Sequence, residues 1–282
     1  IATTILQQIK NTIGTGNRFF RIIVRMDSIG PRQRNLSEHL SIISAQSINK
    51  TNSQGKKEGA WIVKYEGTTN VKYKGKFSNG VPMGLFVFYY ENGKIKAKNK
   101  YFNNGKDSYA STYYDNGKLM SMGKYVNEKK DSSWVFLDRW GNYVAKESYK
   151  NGQKHGKCID FYPFNPKVDA GQPKILEVTF YSDGERDGEY QKYYQNGKLL
   201  MDGSYELGNK NGKWTTYYPT GKKRTEMYFV RGLKNGYVMN YNGNEELLNK
   251  QYFVNGYELK GKDIELHLEL RKKRKQAEAA KN

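Results

Sequence analysis

Cysteine and histidine are nearly missing from this chain of 282 residues: there is one Cys and there are three His. A lone thiol cannot close an internal disulfide, and Cys158, His39, His155 and His267 do not fall in the paired spacing of a zinc site. Cys158 as a nucleophile, or with His155 as half of a metal site, is the chemical alternative. Without a second Cys/His pair, a small core residue is expected. Proline is also scarce, at six residues. No apolar stretch approaches the length of about 18 residues that a transmembrane helix requires. Leu, Ile, Val and Phe are sparse, which argues against a helical bundle or a doubly wound enzyme. There is no Walker motif. The segment Gly14-Thr-Gly16-Asn-Arg-Phe19 lacks the third glycine and the strand–helix setting of a dinucleotide fingerprint. These absences predict a chain that is not an enzyme, with no catalytic residue, cofactor or metal.

What is abundant is tyrosine (24), glycine (29) and basic charge: 48 Lys and Arg against 28 Asp and Glu, a net charge of +20. Tyrosine and glycine fall in a repeat. Gly188-Glu-Tyr190-Gln-Lys-Tyr193-Tyr194-Gln-Asn196-Gly197-Lys198 recurs as Gly212-Lys-Trp214-Thr-Thr-Tyr217-Tyr218-Pro-Thr220-Gly221-Lys222, and earlier as Gly84-Leu-Phe86-Val-Phe-Tyr89-Tyr90-Glu-Asn92-Gly93-Lys94. The first slot falls at Gly59, Gly84, Ser108, Ser132, Gly156, Gly188, Gly212 and Gly236, with a spacing of about 24 residues. Each unit holds two turn signals. One is the Asn-Gly of Asn196-Gly197, Asn92-Gly93 and Asn116-Gly117. The other is Asn79-Gly80, Asn104-Gly105, Asn151-Gly152, Asp183-Gly184 or Asn255-Gly256. Asn-Gly tolerates the two positive φ angles of a type I′ hairpin turn, which is the turn expected at both. Segments rich in β-formers and of period two lie between them. Each unit is therefore expected to be one hairpin, paired edge to edge with the next.

The pattern resembles the MORN repeat, in the bacterial variant labelled YwqK-type antitoxin, over residues 59–258. The resemblance implies an all-β fold: an elongated, single-layer antiparallel sheet of about eight hairpins, curved into a groove. Sixteen strands would extend on the order of 80 Å. It further implies a non-catalytic scaffold that binds a protein partner, with neutralisation of a toxin as one case. Such repeats are also linked to phospholipid headgroups.

Two features qualify as candidate partner contacts. One ring of each Tyr-Tyr pair faces away from the other, so Tyr90, Tyr114, Tyr194 and Tyr218 could line a binding surface instead of only covering the sheet. The fifth unit carries extra residues in Tyr162-Pro163-Phe-Asn-Pro166-Lys-Val-Asp-Ala-Gly171-Gln-Pro173. This proline-stiffened loop makes Phe164 and Lys167 partner candidates against the alternative of neutral drift. The third slot of each unit (Trp61, Phe86, Ala110, Trp134, Cys158, Tyr190, Trp214, Val238) should stack into a core.

The flanks differ. Residues 1–58 form a basic, non-repeat segment and linker. It reads as a transit-peptide remnant, a basic arm, or the end of a secretory signal near Ala45. A bacterial envelope or cytoplasmic location is expected ahead of a mitochondrial one. Residues 259–282 are expected to be a capping strand or a helix with a basic tail. There Arg271, Lys272, Lys273, Arg274 and Lys275 could meet nucleic acid or anionic lipid, or simply be a solvated run. The lysines Lys94, Lys118, Lys198 and Lys222 recur at turns and read as a basic edge or as a rim against aggregation.

Overall fold

The computed structural model describes residues 48–166 and 171–280. The readings made for residues 1–47 and for Lys167 lie outside the described residues. Among the described residues there are twenty strands and a single helix. Sixteen strands are the two arms of the eight expected hairpins, from Lys57–Lys64 with Val71–Ser78 to Gly236–Tyr241 with Leu247–Val254. Two short strands lie at the edges, Lys50–Thr51 and Tyr257–Leu259. Two more, Gln153–Lys154 and Leu233–Lys234, are set off from the strand that follows by His155 and Asn235. Pairing is antiparallel and sequential, as in Gly84↔Tyr101, Tyr101↔Ser108 and Ser108↔Tyr125. The main contacts of each strand are with its sequence neighbours, so the sheet is one open layer.

The two turn classes separate, except that Asn104-Gly105 departs from type I′: it lies in a four-residue loop between Phe102 and Asp107 in which Asn103 also has positive φ. At Asn79-Gly80, Asn151-Gly152, Asp183-Gly184 and Asn255-Gly256 both residues have positive φ, as type I′ requires. Leu207-Gly208, Arg231-Gly232 and Asn127-Glu128 adopt the same conformation without the Asn-Gly signal. The Asn-Gly turns within the motif are different, which corrects the type I′ expectation there. Gly197 N–H donates to the carbonyl of Tyr194 (2.9 Å), and Tyr194 N–H donates to Lys198 O (2.8 Å). Gly197 has φ +82°, whereas Asn196 stays out of the left-handed region. This is a three-residue loop, a type I turn closed by a glycine bulge. Asn196 serves it with its side chain, whose Oδ1 accepts the Lys198 N–H (3.0 Å). Asn92 and Asn116 do the same for Lys94 and Lys118.

The core follows from the third slot. Trp214 is 0% exposed and packs with Tyr190, Phe229, Met201, Tyr205 and Met227. Its ring lies across the backbone of Gly203 on the preceding strand, where an added Cβ would come within 2.3 Å of Trp214 Cδ2. Its Nε1–H donates to Ser204 O (3.1 Å). Trp134 lies over Gly123 and Phe86 over Gly75 in the same way. Every one of these glycines stands eleven residues before its aromatic partner. Where the slot is small (Ala110, Cys158, Val238), the residue eleven earlier is larger: Asn99, Glu147, Met227. The two positions fill one volume between them, which keeps the core evenly packed along the sheet.

The C-terminal flank resolves into a helix, Lys262–Ala279, and not a strand. The alternation from Ile264 to Leu270 suits a strand, but Glu, Leu, Lys, Arg, Gln and Ala are strong helix formers. Asp263 and Glu265 in the first turn also favour the helix dipole. Ile264, His267 and Leu268 form its partly buried face, with His267 against Tyr252 at 5.7 Å between rings. The capping strand is Tyr257–Leu259.

Candidate interaction surface

The second tyrosine of each pair acts across repeats. Tyr90 O–H donates to Tyr113 O (2.7 Å), Tyr114 O–H to Leu137 O (2.9 Å), Tyr194 O–H to Tyr217 O (2.7 Å) and Tyr218 O–H to Tyr241 O (2.8 Å). Tyr65 and Tyr162 make the same bond to Tyr89 O and Tyr193 O. These half-buried hydroxyls staple one hairpin tip to the next. Tyr90, Tyr114 and Tyr218 also carry a cation against the ring: Lys96 at 5.7 Å, Arg139 at 5.4 Å and Arg224 at 5.6 Å from the centroid. What they can offer a partner is thus a ring edge and the adjoining cation, since the hydroxyl is already used.

The fourth and fifth units interrupt the aromatic core with polar groups. Glu147 pairs with Lys154 (2.7 Å) and accepts the Tyr149 hydroxyl. Glu177 accepts from Tyr190 O–H (2.9 Å) and Thr179 O–H (2.9 Å) and lies 3.7 Å from Arg186. Burial raises the Glu147 carboxyl, but the Lys154 and Tyr149 hydrogen bonds outweigh it and hold it below the usual carboxylate range. Burial pushes the Tyr149 hydroxyl up, and the Glu147 carboxylate pushes it further. Cys158 is buried here, and that burial pushes its thiol up, the opposite of what activates a nucleophile. His155 is engaged with Asp183 (3.3 Å) instead. Among the described residues, no cluster of three or more His, Cys, Asp or Glu side chains could hold a metal. Phe164 is half-buried in the loop that interrupts the fifth unit.

The other face of the sheet is open to solvent in the first two repeats and more enclosed in the later ones, where Val178, Thr215 and Glu226 are buried, so its character changes along the chain. In the first two repeats it carries Lys72, Lys74, Lys76, Lys96, Lys98 and Lys100, all exposed. Between them stand Met83 (48% exposed) and Leu85 (50%). In the sixth and seventh repeats the equivalents of Lys74 and Lys98 are Asp202 and Glu226, paired with Thr215 and Met239 of the following strands. Lys213 and Lys223 hold Glu226 at 2.8 Å and 2.9 Å. Burial raises the Glu226 carboxyl, and the two ammonium hydrogen bonds more than offset this, so it lies below its ordinary value. Sequence reasoning missed this face. Its signal was Lys-x-Lys-x-Lys at 72–76 and again at 96–100, one repeat apart.

The five consecutive basic residues Arg271–Lys275 are exposed on the helix, with Lys273 paired to Glu269 (2.8 Å). No helix among the described residues is long and apolar enough to cross a membrane.

Four stretches, 84–104, 106–127, 186–206 and 210–231, match the family model of the MORN repeat variant. They correspond to the second, third, sixth and seventh hairpins. No curated protein matches the chain.

Proposed function

From a chain that carries MORN-variant repeats, a family of generally non-catalytic repeat scaffolds, we propose a scaffold that binds a protein partner through the open face of its sheet. One observation carries this reading. Met83 and Leu85 stand half-exposed in the middle of a sheet, ringed by charged side chains, where no fold requirement holds them. An apolar strip inside a polar surround is the makeup of a protein-binding patch. The toxin-neutralising role that accompanies the YwqK-type resemblance is the special case in which the captured partner loses activity on binding. Tyr90, whose ring carries Lys96, would add to this contact at the tip end of the strand. Tyr114, Tyr194, Tyr218 and Phe164 would extend the contact along the repeats.

The test is affinity capture with the immobilised full chain at two salt concentrations, beside a Met83→Ser/Leu85→Ser variant. Stoichiometric recovery of one protein, reduced by the double substitution, supports the proposal. Recovery of nucleic acid or lipid alone, lost at the higher salt, refutes it. The exposure of Arg271, Lys272, Lys273, Arg274 and Lys275 on the terminal helix favours a second reading, electrostatic attachment to a nucleic acid or an anionic membrane.

A further inference from the structure

Six ammonium groups on the first two repeats have no counter-ion within the described residues. Lys72, Lys74 and Lys76 alternate along Val71–Ser78, and Lys96, Lys98 and Lys100 along Ile95–Phe102. Both strands flank Val81–Tyr89. Its Val87 stands opposite both Lys74 and Lys98, while Met83 pairs with Lys76 and Leu85 with Lys100. Glu91, at a hairpin tip, is the single acidic residue from 71 to 106. None of the six lysines forms an ion pair among the described residues. Four rest instead over tyrosine rings: Lys72 over Tyr65, Lys74 over Tyr89, Lys96 over Tyr90, Lys98 over Tyr113, at 5.5–5.9 Å.

Alternate residues on one strand repeat at about 6.8 Å, and next-but-one strands lie about 9.6 Å apart. Like charges therefore sit within the Debye length of about 8 Å along each row and repel one another. A sheet that keeps six such groups together, while it neutralises the equivalent face in later repeats with Asp202 and Glu226, keeps a positive field there. We infer that this ridge is the docking site for an extended acidic segment of the partner protein, carrying an apolar residue that covers Met83 and Leu85. The inference rests on the protein-partner reading above and adds the site and the chemistry of its ligand.

Three observations select this occupant. Carboxylates at alternate positions of an extended chain repeat at the same ~6.8 Å as the lysines. The footprint, about 14 Å along the strands and 10 Å across, matches one extended chain. A nucleic acid would meet a surface ill suited to it. No arginine occurs from 57 to 126 to fork onto phosphate or base, and the neighbouring tyrosine rings already carry lysine heads. The apolar strip would find no equal partner in a phosphodiester backbone.

The test uses fluorescence anisotropy on the full chain at low salt. The probes are a labelled peptide with Glu at alternate positions and one central Leu, an isomer of the same composition with its Glu residues clustered, a single-stranded oligonucleotide of equal charge, and phosphatidylserine-containing vesicles. The alternating peptide is expected to bind best. Lys74→Glu/Lys98→Glu should weaken it by about 10-fold or more. Lys94→Glu/Lys118→Glu makes the same charge change at the hairpin tips and should have little effect. Thermal unfolding of both variants checks that the sheet is intact. Equal affinity for the two isomers, equal losses from the two double variants, or displacement of the peptide by the oligonucleotide or vesicles would overturn the inference. A captured protein whose recovery ignores Lys74→Glu/Lys98→Glu would sink the ridge and leave the scaffold standing. A chain that captures no protein would remove the scaffold itself.

Discussion

Replacing Gly203 by alanine tests the packing rule on which the repeat is built. The new Cβ would lie 2.3 Å from Trp214 Cδ2 and 2.4 Å from Cε2. Carbon contacts settle near 3.5–4.0 Å, so the ring must withdraw by about 1.2 Å or more. Trp214 is wholly enclosed, with Tyr190 and Tyr205 rings at 5.3 Å and 5.1 Å, and cannot move without disturbing them. Overpacking of this kind costs about 1–3 kcal/mol. Straining the Nε1–H bond to Ser204 adds up to about 1 kcal/mol. Gly203 does not have positive φ, so alanine recovers about 0.4–1 kcal/mol through the unfolded chain. The net expectation is a loss of about 1–3 kcal/mol. Gly243 also lacks positive φ and has nothing within 4 Å of its would-be Cβ, so Gly243→Ala should be neutral or slightly stabilising. The diagnostic measurement is a cycle with Trp214→Val, which copies the small residue found at Val238. Once the ring is gone the alanine methyl has room. The double variant should therefore lose less than the two single changes together, by about 1 kcal/mol or more. Because repeats can open separately, urea unfolding should be paired with hydrogen exchange at amides of Leu199–Glu206 and Asn209–Tyr217. Additive effects, or a neutral Gly203→Ala, would refute complementary filling of the slot.

Tyr194→Phe removes the hydroxyl that reaches Tyr217 O, and about 1 kcal/mol of stability should be lost, read by urea unfolding; no change would mean that the staple contributes nothing. Glu128 holds φ +63° in a type I′ turn, so Glu128→Gly should raise stability by about 1 kcal/mol, measured by thermal unfolding. Glu226 has a folded pKa below its unfolded one. Its contribution is complete above the unfolded carboxylate value, near 4.3, and is lost as pH falls through the folded value. Glu226→Gln should therefore flatten the acid limb of the stability–pH curve, and an unchanged limb would count against the Lys213–Glu226–Lys223 cluster. Cys158 should resist alkylation at pH 7 until the chain is unfolded, because burial disfavours its thiolate; rapid labelling of the native protein, followed by mass spectrometry, would show otherwise.

The hairpin count was legible because the frame is set by backbone geometry. Seven of the eight first-slot residues enter the left-handed region, as Gly212 does at φ +69°, with Ser108 the exception, and that demand imprints glycine at most of them, every 24 residues or so. The turn type was not legible, because Asn-Gly satisfies two geometries. Asn79 uses its tolerance of positive φ, whereas Asn196 uses its side-chain carbonyl, and the dipeptide looks the same in both. Asn127-Glu128 was invisible for the converse reason, since tertiary pairing imposes the turn on residues that do not advertise it. The tyrosine pairs were legible as a pattern but not as staples. The bond from Tyr194 to Tyr217 O spans one repeat minus a residue, a relation that appears only once neighbouring hairpin tips are side by side.

The division of labour between the two faces explains where specificity can reside in such a sheet. On the core face the glycine–aromatic pairs and tyrosine staples are coupled from strand to strand, so a change at one position requires a change eleven residues away. On the opposite face a side chain meets mainly its cross-strand neighbours, and the register accommodates either charge: exposed Lys74 and Lys98 in early repeats, Asp202 and the buried, lysine-paired Glu226 in later ones, at equivalent positions of the same motif. Stability is thus encoded by the constant half of each strand, and on the proposed reading recognition would fall to the variable half. A partner that reads the ridge of residues 72–100 would be selected by six positions that the fold leaves free. Exchanging Lys-x-Lys-x-Lys for the Leu200-Met-Asp202-Gly-Ser204 pattern on that face alone should transfer recognition while leaving the core untouched. The Gly75 position already suits such an exchange, because Gly203 occupies the matching place beneath its own aromatic ring.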